Sequence, residues 1–314
     1  MRPLRRLLRV LSALSLLAVT AASPADQTFR STVDAVRVDA LVMRGGRPVS
    51  GLTAADFELR DNGVVQDVAA VSVDDVPLTL MLVLDVSQSV QGEPLAQLRA
   101  AIEASASALS AADRLALFTF SHHVAAAARA TRDFADLRSA ALRVEASGAT
   151  ALYDATLAAL MMRHGIEGRA VMLVFSDGVD TASWIDPRAS LAAAQRSDVT
   201  VYVVTLARQM ERRDARAVRQ ATLEQDWFRR DPWSYGRQYL PLLAADTGGS
   251  ILTAERADRL RETFVGVVRD FKSRYLLTYT PRDVAPGGWH SVDVRLKRQP
   301  AEITARRGYL RDGQ

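Results

Sequence analysis

The chain has 314 residues, 48% of them hydrophobic and 24% charged, which is enough for one or two domains with sizeable cores. It has no cysteine, so disulfides and a lipid-modified cysteine are both excluded. The formal charge of +4 rests on Arg2, Arg5, Arg6 and Arg9; without them basic and acidic residues are equal in number, and the composition gives no support for nucleic-acid binding.

Those arginines are followed by an apolar stretch over 10–19 and by the small residues Thr20-Ala21-Ala22-Ser23. A basic, then apolar, then small-residue order predicts a signal peptide over 1–25, cleaved near Ala22. The apolar part falls short of the ~20 residues that span a bilayer. The expected product is secreted or periplasmic with no membrane span; an uncleaved anchor is the alternative.

Residues 36–42 alternate apolar and polar, Arg44-Gly45-Gly46-Arg47 is a turn, and Phe57-Glu58-Leu59-Arg60 leads into the hairpin signal Asp61-Asn62-Gly63. At the other end Tyr275-Leu276-Leu277-Thr278-Tyr279 alternates, Pro286-Gly287-Gly288 turns, and 291–296 and 302–306 continue the pattern. Neither piece is long enough for a stable sheet by itself. Segments 27–75 and 274–311 are therefore expected to join into one small β-sandwich, with a domain over 76–273 emerging from it as an insertion.

That middle region alternates strand-like and helix-like segments, which predicts an α/β fold with a doubly wound, mostly parallel sheet. Residues 78–84 form a continuous apolar run, as in a strand buried on both faces. Pro94 opens a helix with Leu95, Leu98, Ile102 and Leu109 on one face; strands over 114–120 and 124–128 follow. Asp133 begins the next helix, Ser147-Gly148 breaks it, and 152–162 is helical again. A strand over 170–175, a helix over 187–196, a strand over 199–206, a helix over 238–245, a strand over 250–253 and an amphipathic helix through Leu260, Phe264, Val267, Val268 and Phe271 complete the domain. Residues 208–236 mix charges with Trp227, Phe228, Trp233 and Tyr235 and read as a charged helix with an aromatic turn or as a partner-binding insertion.

Asp85, Ser87 and Ser89 lie directly after the first apolar run, Thr150 follows the small residues Ser147-Gly148-Ala149, and Asp177 follows the run over 170–175. All five offer oxygen, the donor that hard divalent cations prefer. Capping of the next helix by the two serines is the simpler reading, but it leaves Asp85, Thr150 and Asp177 unexplained. The order and spacing of Asp85, Ser87, Ser89, Thr150 and Asp177 resemble the metal-ion-dependent adhesion site of von Willebrand factor type A domains.

The wider arrangement resembles bacterial exported proteins described as VWFA-related. That match rests on Gly45-Gly46-Arg47-Pro48-Val49, Gly51-Leu52-Thr53-Ala54-Ala55-Asp56-Phe57 and Asp61-Asn62-Gly63 before the domain, and on Tyr275-Leu276-Leu277-Thr278-Tyr279-Thr280-Pro281 and Arg306-Arg307-Gly308-Tyr309 after it. The resemblance implies a metal ion held by neutral hydroxyls and two Asp groups that act through water or hold the serines in place; the hard oxygen donors and the ion's abundance point to magnesium, with manganese or calcium fitting the same oxygens. Such an ion stays electron-poor and favours a partner's Asp or Glu carboxylate at its open position, so a non-enzymatic protein-binding module is expected.

Two alternatives stay open. One is a structural or assembly subunit whose site is filled from within, for instance by Asp74-Asp75 or the acids of 224–231. The other is a metal-assisted or triad hydrolase, disfavoured because no His or Glu occurs in the ligand strings and no nucleophile elbow surrounds the serines. His122 and His123 are expected to cover the sheet edge or make surface contacts, and His164 and His290 to stand apart from any ligand cluster.

Overall fold

Alternation of side chains along the flanking strands gives each one face for a core and one for solvent, and the computed structural model shows how those faces are shared. It describes residues 35–72, 76–164, 166, 168–207 and 234–312. The expected signal peptide, Asp74, Asp75, the acids of 224–231 and the segment 208–233 lie outside the described residues.

Before the central domain come β1 (Val36–Arg44), β2 (Arg47–Pro48), β3 (Phe57–Asp61), β4 (Val64–Gln66) and β5 (Val68–Ser72). Asn62 and Gly63 both have positive φ, 46° and 81°, which lets the chain reverse tightly between β3 and β4. The central domain contributes β6 (Leu78–Asp85), α1 (Glu93–Ser107), β7 (Arg114–Phe120), β8 (Val124–Thr131), α2 (Phe134–Leu142), α3 (Leu152–Met161), β9 (Arg169–Phe175), α4 (Pro187–Arg196), β10 (Thr200–Leu206), α5 (Ser234–Thr247), β11 (Ile251–Ala254) and α6 (Leu260–Lys272). After it follow β12 (Tyr275–Tyr279), β13 (Gly288–Leu296), β14 (Glu302–Thr304) and β15 (Gly308–Arg311).

The central sheet has the order β11-β10-β9-β6-β7-β8, parallel except for the edge strand β8. All eight residues of β6 are buried, and its alternation divides them between two cores. Leu78, Leu80, Leu82 and Leu84 pack with Leu98, Ile102, Leu137, Phe264 and Val267 of α1, α2 and α6. Met81 and Val83 pack on the opposite face with Leu152, Leu160, Leu191, Tyr239 and Leu243 of α3, α4 and α5. This is the expected doubly wound α/β sheet.

Two antiparallel sheets flank it, one ordered β14-β1-β12-β5 with β2 beside β1, the other β15-β13-β3-β4. Each mixes strands from both ends of the described chain: Val38 pairs with Leu277 and Leu59 with Val294. Their inward residues, including Val38, Phe57, Leu59, Tyr275, Leu277, Val292 and Tyr309, share one core. The two end segments thus build one β-sandwich. Among the described residues no helix is long and apolar enough to cross a membrane.

Candidate metal centre

Strands β6, β7 and β9 are parallel neighbours, so their carboxyl ends and the loops that follow share one edge of the sheet, where open α/β sheets bind ligands. Asp85 ends β6 and is 2% exposed. One of its carboxylate oxygens accepts the amide of Ser87 at 2.8 Å, the other the hydroxyl of Ser176 at 3.3 Å. The Oγ atoms of Ser87 and Ser89 lie 3.1 Å apart.

The capping alternative for these serines is corrected here. Ser87 makes no side-chain cap bond to the short helical turn Gln88–Val90, and the residue that precedes the first turn of α1 is Gly92. The two hydroxyls face each other instead.

Thr150 reaches the same edge through a loop tied on three sides. Ser147 donates to the Val86 carbonyl and Gln88 to that of Gly148, joining the loop to the end of β6; Ala151 donates to the Ser121 carbonyl beyond β7. Toward β9, the Thr150 amide donates to the Thr181 hydroxyl at 3.0 Å, and the Thr150 carbonyl accepts the amides of Thr181 and Ala182. Gly148 adopts φ +77°, and a Cβ there would overlap the imidazole of His122. His122 is therefore packed on the loop that carries Thr150, a placement more specific than the surface contact expected for it.

Asp177 follows Ser176, the residue that bonds Asp85, and its charge bears on Asp85 directly. Burial pushes Asp85 up to about 6; hydrogen bonds from Ser87 and Ser176 pull it down, and the negative charge of Asp177 adds to the rise. The structure thus brings Asp85, Ser87 and Ser89 into one hydrogen-bonded group, ties the Thr150 loop to it through the backbone, and places Asp177 within electrostatic reach.

Two carboxylates with three hydroxyls are a donor set for a hard divalent cation, whose charge would offset theirs. Among the described residues no group of three or more His, Asp or Glu side chains is arranged to hold a metal.

Sequence reasoning missed most of the supporting shell. Ser176 lies 91 positions from the carboxylate it bonds. Asp180 accepts the amides of Leu152 and Tyr153, and Ser183 those of Tyr153 and Asp154, so the loop after β9 caps α3. His290 stands apart from the candidate ligands, as expected, and is buried in the sandwich, where it bonds Asp61 at 2.8 Å beside Tyr279 and Tyr309. No local signal marks these contacts, which join residues 27 to 248 positions apart.

Residues 80–179 match the family model described as the von Willebrand factor type A domain. Solved structures with a similar fold include a von Willebrand factor type A protein from Catenulispora acidiphila, at 13% identity over 84% of this chain and 74% of that one, with a TM-score of 0.51. BatB from Bacteroides thetaiotaomicron aligns at 15% identity over 62% and 98% of the two chains, TM-score 0.45. Proximal thread matrix protein 1 from the mussel byssus, with a zinc-occupied MIDAS motif, aligns at 15% over 66% and 48%, TM-score 0.48. At 13% identity the likeness to the Catenulispora acidiphila protein is one of fold. No curated protein matches the chain.

Proposed function

We propose, from the match of residues 80–179 to the von Willebrand factor type A domain model and from the similar fold, that the chain is an exported, non-enzymatic docking module that binds a partner protein's Asp or Glu carboxylate through a divalent metal. Ser87, Ser89 and Thr150 would hold the ion by their hydroxyls, and Asp85 and Asp177 directly or through water. Magnesium suits a small, hard, oxygen-lined site, and manganese or calcium would fit the same donors. With so many neutral donors the ion keeps its demand for an anionic oxygen at an open position.

The observation that carries this reading is the pairing of the Ser87 and Ser89 hydroxyls beside Asp85, at the carboxyl edge of the sheet and unused as helix caps. A hydrolase reading has no comparable support: the His122 and His123 rings lie 4.0 Å apart with His122 on Gly148, and His290 is buried in the sandwich.

Water-proton relaxation of the manganese-loaded protein tests the carboxylate step. Adding a short Asp-containing peptide should displace manganese-bound water and lower the relaxation enhancement, whereas the Asn counterpart should not. Equal responses to the two peptides would refute the docking chemistry.

A further inference from the structure

The loop between β9 and α4, residues 176–186, carries one side chain that the docking reading leaves unused. Trp184 is 95% exposed. A single exposed apolar residue is ordinary on a protein surface, but this one stands on an immobilised backbone. The amides of Trp184 and Ile185 both donate to the Asp154 carboxylate, at 3.0 to 3.1 Å. Just before them, the Ser183 hydroxyl donates to Asp180 at 2.6 Å and accepts amides of α3. Just after them, Asp186 caps α4 by accepting the amide of Arg188 at 2.7 Å. A contact on this indole costs little backbone ordering, because that ordering is already present in the free protein.

Its position follows from the same hydrogen bonds. Thr181, which bonds the Thr150 backbone through its hydroxyl and its amide, is three residues before Trp184. Three residues of chain span at most roughly 11 Å. The carboxylates of Asp154 in α3 and Asp180 in the loop are engaged with backbone amides, and the indole is the large apolar side chain that the loop exposes. An indole offers on the order of 200 Å² for burial and belongs to the residue types that dominate interface energies.

Resting on the docking reading above, we propose that Trp184 is the second contact point of this surface: the partner segment that gives its Asp or Glu to the metal lays an apolar side chain, aromatic or large aliphatic, on the indole. Two contact points on one surface exceed one small carboxylate and call for a short stretch of extended peptide. The occupant is accordingly a protein segment in which acidic and apolar residues are near neighbours.

The test is a peptide array probed with the full chain. Each peptide has a Gly/Ser background, one central Asp or Asn, and Trp, Phe, Leu, Lys, Arg or Ser at each position from one to four residues on either side. In magnesium the wild type should prefer Asp peptides with an apolar neighbour about tenfold over those with Ser. Trp184→Ala should keep the magnesium-dependent preference for Asp over Asn and lose the apolar preference; the exposure of the indole makes this variant safe for folding. Asp154→Ala, which frees the loop amides and leaves the indole in place, should lower the apolar preference severalfold. An apolar preference that survives Trp184→Ala, or a wild type that prefers Lys or Arg there, overturns the proposal while the metal reading stands. An apolar preference lost in Trp184→Ala but indifferent to magnesium and to Asp85→Ala would uphold the indole contact and sink the metal reading. Absence of binding to every peptide overturns both.

Discussion

Asp85 is buried beside a second carboxylate, and its pKa is pushed up to about 6 chiefly by loss of water. Between the ordinary carboxylate value near 3.8 and 6 the folded, metal-free protein therefore holds a proton that the unfolded chain has released. The contribution of this group to stability is greatest below pH 4 and is lost as pH rises through 6. At about 1.4 kcal/mol for each pH step between those two values, the loss is roughly 3 kcal/mol. Thermal unfolding in chelator should show this decline over pH 4 to 6, Asp85→Asn should flatten it, and magnesium should restore stability above pH 6. A flat profile for the wild type in chelator would contradict the assignment. The positions of Asp85 and Asp177 were legible in the sequence because one ends an apolar run and the other closely follows one, and strand ends in a doubly wound sheet gather on one edge. Ser176 was not, since its bond to Asp85 exists only once β6 and β9 are side by side.

At the scale of elements, α3 shows the same division. Its apolar face through Leu152, Ala155, Ala159 and Leu160 was readable from spacing alone. Its N-terminus was not, because Ala151 supplies no cap and the free amides of Leu152, Tyr153 and Asp154 are taken by Asp180 and Ser183 from the loop after β9. One loop thus caps α3, bonds the backbone of Thr150 and presents Trp184. Asp180→Ala should cost about 1 to 2 kcal/mol, seen as a lower urea midpoint, and should also weaken magnesium binding, because it loosens the loop that holds the Thr150 backbone. Loss of stability with unchanged magnesium affinity would separate the cap from the site.

At the scale of the whole described chain, the α/β sheet and the β-sandwich are joined by buried arginines, a residue type that sequence patterns assign to the surface. Arg169, at the start of β9, donates to one Asp39 oxygen of β1 at 2.8 and 2.6 Å and to the carbonyls of Phe271 and Arg274. Arg274, between α6 and β12, bonds the Tyr202 hydroxyl and the carbonyls of Asp39 and Thr304. Arg306 holds the carbonyls of Gln195, Ser197 and Gly308. The alternating strands at both ends announced that the two segments would join. Nothing in their pattern marked the polar seam, because an arginine that ends a helix or begins a strand carries no sign of what it will meet. Asp39→Ala, which leaves Arg169 charged and buried without its partner, should destabilise the protein by about 3 to 5 kcal/mol in denaturant titration; the double variant Asp39→Ala/Arg169→Leu should recover much of that. A single-variant loss below about 1 kcal/mol would show that the seam contributes little. Because each sandwich sheet mixes strands from both ends, the seam fixes the α/β sheet, and the candidate site at its carboxyl edge, to one body. Whether the edge binds a divalent metal is decided by calorimetric titration of magnesium and manganese into metal-stripped protein, with Asp85→Ala alongside. Saturable binding, a rise in thermal stability on loading and loss of both in the variant are expected; equal heats in the two proteins, or none in either, would contradict metal binding at this site.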